Sequence, residues 1–120
     1  EAEVVCGVDL HESENFKGKV YKTFAEVQEN VDVVIDFSSP ACLKDEMEYC
    51  TGRGVPAVIA ATGYTPEQLA FIAECSKKVA IFRTANFSVG VNLLVKLVKE
   101  AAAFLGENFD IEIVEKHHNL

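Results

Sequence analysis

The chain has 120 residues, 49% hydrophobic and 25% charged, the make-up of a globular protein large enough to bury a core. Its formal net charge of −8 argues against a nucleic-acid partner, because phosphate binding needs clustered Lys and Arg. No apolar run approaches the roughly 18–20 residues of a membrane span. The opening Glu1-Ala2-Glu3-Val4 carries neither a basic region nor a signal core, so a cytoplasmic protein is expected.

Residues 3–9 read as a buried strand ending in Asp9, followed by a polar loop over 10–18 and a short strand over 19–22. Thr23-Phe24-Ala25-Glu26 has the spacing of a capping box and predicts a two-turn helix to about Asn30. Residues 31–37 form a near-continuous β-branched run, the mark of a strand covered on both faces. Ser39-Pro40 places a cap before a proline at the first helical position, opening a helix to about Thr51. Residues 55–61 are the next strand, and Thr65-Pro66-Glu67-Gln68 repeats the cap and proline before a helix to about Ser76. Residues 79–82 are a further strand.

Strand and helix in alternation predict a parallel sheet with helices on both faces. Ser88 then caps a helix over 89–105 whose apolar positions cover most of its circumference, leaving Asn92, Lys96, Lys99 and Glu100 as a narrow polar stripe. Such a helix is expected to be buried against more than one neighbour, with Gly106 as its stop. Asp110-Ile111-Glu112-Ile113 alternates and predicts a half-buried strand in a different sheet, hence a second domain.

The four cysteines, Cys6, Cys42, Cys50 and Cys75, show no C-x-x-C spacing and no neighbouring histidine, so no metal site is expected and they read as reduced thiols. Three loops follow successive strands: Phe37-Ser38-Ser39, Ala60-Ala61-Thr62-Gly63 and Thr84-Ala85-Asn86-Phe87. If the strands are parallel, they line one crevice at the strand carboxyl ends, where ligands bind in open α/β sheets. Each loop alone is equally an ordinary strand-to-helix turn. Asp9 fits either a ribose-binding acid or a solvated strand end, and His117-His118 either a proton-handling pair or a surface feature.

The segments Asp36-Phe37-Ser38-Ser39-Pro40, Ala61-Thr62-Gly63-Tyr64, 85–92 (ANFSVGVN) and 111–118 (IEIVEKHH) together resemble dihydrodipicolinate reductase, a family of the diaminopimelate route to lysine. The resemblance runs along essentially the whole chain. It implies a partial Rossmann-like parallel sheet over residues 1–87 as the dinucleotide-binding domain. Residues 88–120 would then be the first helix and strand of an α+β domain for substrate binding and oligomerisation.

The same resemblance implies NADH or NADPH as cofactor, a cyclic dicarboxylate as substrate and a homotetrameric parent protein. Asp9 resembles the ribose acid; Phe37 and Ser38 resemble residues near the nicotinamide. Ala60, Ala61 and Thr62 match a cofactor loop that usually reads Gly-Thr-Thr. Thr84, Ala85, Asn86 and Phe87 match the cofactor segment at the hinge. His117 corresponds to the proton donor and acceptor, His118 to its substrate-contacting neighbour. By this resemblance the chain is a fragment without the glycine-rich phosphate loop, the first strand and the second proton-supplying lysine, and is expected to be inactive by itself. The alternative is an α/β module that binds a nucleotide or a protein and does no chemistry.

Overall fold

The computed structural model describes residues 2–11, 14–114 and 116. The chain forms two compact units, Glu1–Ala85 and Asn86–Leu120. In the first, β1 (Cys6–Val8) pairs in parallel with β2 (Lys19–Tyr21). Strands β3 (Val34–Asp36), β4 (Ala57–Ile59) and β5 (Ile81–Arg83) form a separate parallel sheet in that spatial order. Parallel neighbours cannot be joined by a tight turn. The crossovers are instead α1 (Leu43–Arg53) and α2 (Pro66–Cys75). The parallel α/β architecture read from the sequence is therefore present.

Local chemistry explains where these helices start and stop. The Ser39 hydroxyl accepts from the Ala41 N–H at 3.4 Å, and Pro40 opens a 3₁₀ turn that runs into α1. Gly54, at φ 70°, ends α1 in the left-handed region that a side chain disfavours. At α2 the capping box closes both ways: the Gln68 N–H donates to the Thr65 hydroxyl, and the Thr65 N–H donates to the Gln68 amide oxygen.

Both crossover helices serve the same core. Met47, Cys50 and Ile59 are fully buried, packed among Leu43, Ala57, Ile72, Cys75 and Val79. The β1–β2 pair adds Tyr21 to this cluster, and Val27 joins it from the loop beyond. The strand parity then follows from the register. Asp36 and Ile59 face the core, whereas the intervening row Ile35–Val58–Phe82 is open, with Ile35 60% and Phe82 59% exposed. Coverage of that second face, expected from the continuous apolar runs, is not seen among the described residues. The described residues of the β1–β2 connection contain no helix.

Two further expectations in this unit are corrected. Strand β1 is only half-buried, because among the described residues it pairs on one side alone. The helix expected after Thr23 is a single 3₁₀ turn, Phe24–Glu26. Val27 leaves helical geometry at ψ 121° to enter the core, its carbonyl accepts from Arg53 at 2.8 Å, and the Phe24 N–H donates to Asp45 at 3.0 Å. Contacts from α1 thus outweigh local helix preference. The capping box itself is present, with the Glu26 carboxylate accepting from the N–H groups of Lys22 and Thr23.

In the second unit, α3 (Val89–Leu105) has the expected length, with the Ser88 hydroxyl accepting from the Val91 N–H at 3.3 Å and Gly106 at φ 67° ending it. It is not buried: Val89, Leu93, Leu94, Leu97 and Phe104 are all exposed. Among the described residues of this unit, α3 is followed by the 3₁₀ turn Gly106–Asn108 and no further helix or strand. Residues 110–113 likewise form no strand and are exposed, since a strand exists only by pairing.

Truncating the centre of the first unit should be costly. Met47→Ala is expected to lower unfolding free energy by about 2–5 kcal/mol, read as a reduced urea midpoint with an unchanged m-value.

Candidate functional site

The parallel register brings the carboxyl ends of β3, β4 and β5 into one row, Asp36–Ile59–Arg83. The ladder continues just past them, with the Ala60 N–H donating to the Asp36 carbonyl at 2.8 Å and the Thr84 N–H to the Ile59 carbonyl at 3.4 Å. The loops that begin at Phe37, Ala60 and Thr84 therefore leave the sheet side by side. Phe37, Ser38, Thr62 and Ala85 are exposed, Ala60 and Thr84 are half-buried, and Ala61 is buried. Gly63 takes φ 85°, a conformation that suits glycine, and a Cβ there would meet nothing within 4 Å.

Beneath the loops lies a buried acid that the sequence reading did not single out. One oxygen of Asp36 accepts from both the N–H and the hydroxyl of Ser38, at 2.7 and 2.5 Å. The other accepts from the Tyr64 hydroxyl at 3.3 Å, long for such a bond. The Tyr64 ring in turn carries the Arg83 guanidinium, 5.4 Å from its centroid. Burial first, then Asp36 and Glu46 nearby, push the Tyr64 hydroxyl well above its ordinary pKa, so it stays a donor.

Glu46 of α1 is almost wholly buried, 1% exposed, and neither carboxyl oxygen has a hydrogen-bond partner among the described residues. Burial, reinforced by the charge of Asp36, pushes its pKa up to about 8. Cys50 is pushed up to about 12 by burial and then by Glu46, which leaves it an inert thiol. The signal available in the sequence was parity: Asp36 shares a strand face with Val34, and Glu46 sits beside Met47 on a helix that must pack.

Asp9 lies elsewhere, at the end of β1 in the two-stranded sheet, exposed, with one oxygen accepting from the His11 N–H at 2.8 Å. Pairing with β2 adds a cation unseen in the linear order: Lys22 Nζ donates to the Leu10 carbonyl at 2.8 Å. Asn86 and Phe87 belong to the second unit. There the Asn86 side-chain oxygen accepts from the Ser88 N–H at 2.7 Å, and Asn92 donates to the carbonyls of Asn86 and Ser88 at 3.1 and 2.9 Å. The two asparagines of ANFSVGVN thereby set the entry into α3. His117 and His118 lie outside the described residues.

Two family profiles cover the chain: "Dihydrodipicolinate reductase, N-terminus" over residues 2–87 and "Dihydrodipicolinate reductase, C-terminus" over residues 90–120. The chain belongs to the dihydrodipicolinate reductase family. Among curated relatives, the 4-hydroxy-tetrahydrodipicolinate reductase of Caldanaerobacter subterraneus subsp. tengcongensis is 49% identical over 120 residues, covering 100% of this chain and 47% of the relative. The protein of the same name from Clostridium novyi is 43% identical over 116 residues, covering 97% and 46% respectively. That from Acinetobacter baumannii (strain AYE) is 44% identical over 100 residues, covering 83% and 37%. The chain thus spans just under half the length of the first of these relatives. In this family member the two profiles meet between residues 87 and 90, at the Ser88 cap of α3.

The raised pKa of Glu46 has a definite sign in stability. The folded state holds its proton up to about pH 8 against an ordinary value of 4.5, so its contribution is complete below about 4.5 and is lost as pH rises towards 8. Urea midpoints should fall across that window with a slope of at most ~1.4 kcal/mol per pH unit, and Glu46→Gln should flatten it.

Proposed function

We propose that the protein carrying this chain is an NAD(P)H-dependent reductase. It would convert 4-hydroxy-tetrahydrodipicolinate to tetrahydrodipicolinate on the diaminopimelate route to lysine. The observation that carries this reading is the row of three loops leaving adjacent parallel strand ends in a chain of this family. The relatives' names supply the substrate. In this reading residues 1–87 serve as the dinucleotide-binding domain and 88–120 begin the substrate-binding and oligomerisation domain of a cytoplasmic homotetramer.

The residues present fit a dinucleotide. Open space over Gly63 lets a ligand approach the backbone, and the exposed Phe37, Ser38 and Thr62 offer a ring face and hydroxyls. We assign Phe37, Ser38, Ala60, Ala61, Thr62, Thr84, Ala85, Asn86 and Phe87 to cofactor binding, with Asp9 as acceptor from the ribose hydroxyls. The bound nicotinamide supplies a hydride to the substrate ring. His117 supplies the proton that the reduction needs, and His118 holds the dicarboxylate. Carboxylates beside an imidazole favour its charged, proton-donating form.

Two measurements test these roles in the protein at the length of its relatives. His117→Ala should lower kcat about 10²–10³-fold while sparing NADH affinity, and His118→Ala should act through KM. Steady-state kinetics with an NADH titration reads both; a His117→Ala kcat close to wild type removes the histidine from the mechanism. NADH binding without any turnover by the wild type would favour a binding module instead.

For the cofactor, Asp9 repels an adenosine 2′-phosphate and the next residue, Leu10, is neutral, so NADH should be used at least as well as NADPH. Lys22 beside Leu10 is the cation that keeps NADPH acceptable. Lys22→Ala should therefore depress kcat/KM for NADPH and leave that for NADH. A wild-type preference for NADPH above about tenfold, ~1.4 kcal/mol, contradicts the assignment of Asp9.

A further inference from the structure

Three loops that bind one ligand must hold their spacing, and short loops on three-residue strands have little of their own to hold it with. The side chains that could do so are Asp36, Tyr64 and Arg83. Asp36 ends β3 and ties down Ser38 of the first loop by two hydrogen bonds. Its second oxygen takes the hydroxyl of Tyr64, which closes the second loop. The Tyr64 ring lies under Arg83, the last residue of β5, from which the third loop departs. Tyr64 is thus joined on one side to the first loop and on the other to the third.

We propose that Tyr64, through Asp36 and Arg83, is a positioning residue that locks the three strand-end loops at the spacing the dinucleotide needs. This rests on the nicotinamide-reductase reading above. None of the three side chains has to touch the ligand. Asp36 is 7% exposed and uses both carboxylate oxygens on the loops themselves. Groups facing Asp36 do not compete for it: Glu46, on α1 beneath, remains neutral around pH 7, and the Tyr64 hydroxyl remains protonated. Arg83 contributes a guanidinium that stacks well on an aromatic face. The arrangement explains why a polar pair is kept at the rim of an otherwise apolar core.

The substitutions separate the two links. Tyr64→Phe keeps the ring under Arg83 and removes the hydroxyl; Tyr64→Leu removes both. In the protein at the length of its relatives, NADH KM should rise severalfold in Tyr64→Phe and about tenfold or more in Tyr64→Leu, the scale of ~1.4 kcal/mol per factor of ten. In both, kcat at saturating NADH should stay within about twofold, because the chemistry-bearing groups are untouched. Arg83→Ala should raise KM in the Tyr64→Phe background and add nothing in the Tyr64→Leu background, the non-additivity of a direct link.

Amide hydrogen exchange is read alongside without ligand. Tyr64→Leu should speed exchange in the loops after β3, β4 and β5 together, at an unchanged urea midpoint for Tyr64→Phe. Faster exchange confined to the second loop, or NADH KM unchanged in both variants, overturns the proposal. A wild type that neither binds NADH nor reduces substrate counts against the reductase reading, while the exchange result still decides for or against the lock.

Discussion

Everything at the candidate site depends on the parallel pairing of β3, β4 and β5. A parallel ladder cannot be closed by a two-residue turn, so each step along the sheet requires a crossover, here supplied by α1 and α2. That demand has a geometric consequence. All three strands run the same way, so all three carboxyl ends fall on one edge and the loops leaving them become neighbours. Antiparallel strands of identical composition would have scattered the same loops to opposite ends. The register then decides which side chains lie beneath the loops, and it selects Asp36, Ile59 and Arg83 as one row.

Among the described residues the core under that row is apolar apart from Glu46 and the Tyr49 hydroxyl. Met47, Cys50 and Ile59 fill the space between α1 and the sheet, and Glu46 is buried with them without a hydrogen-bond partner among the described residues. An ionised carboxylate in such a place would cost far more than a neutral one, so the protein holds it protonated. Asp36, one layer nearer the rim, has the opposite solution: its carboxylate is satisfied by the loops it organises. Two acids on adjacent elements thus differ in how they are satisfied: Asp36 has donors within reach, and Glu46 has none among the described residues.

The second unit is governed by a different constraint. A helix apolar around most of its circumference has to bury that surface against something, and among the described residues of this unit it is accompanied by one 3₁₀ turn. The apolar side chains of α3 consequently stand exposed. What the unit does settle by itself is its entry, where Asn86, Ser88 and Asn92 close four hydrogen bonds among themselves and the first turn. The match to the C-terminal family profile begins inside that turn, at Gly90.

The sequence by itself determined the alternation of strand and helix, the caps at Ser39, Thr65 and Ser88, and the stop at Gly106, because each depends on groups a few residues apart. It also carried the family, since the motifs around Asp36, Gly63 and Asn86 are contiguous. The loops of the candidate site were legible for the same reason: each is a short polar run at a strand end. Tertiary structure alone decided what lies between distant residues. It cut the helix after Thr23 to one turn because Arg53 and Asp45 bond to that segment, and residues 110–113 pair with no strand among the described residues. It also placed Lys22 beside Leu10, joined Asp36 to Tyr64, and set the charge of Glu46. Those outcomes turn on which groups share a dielectric or a hydrogen bond across the fold, and no periodicity along the chain encodes that.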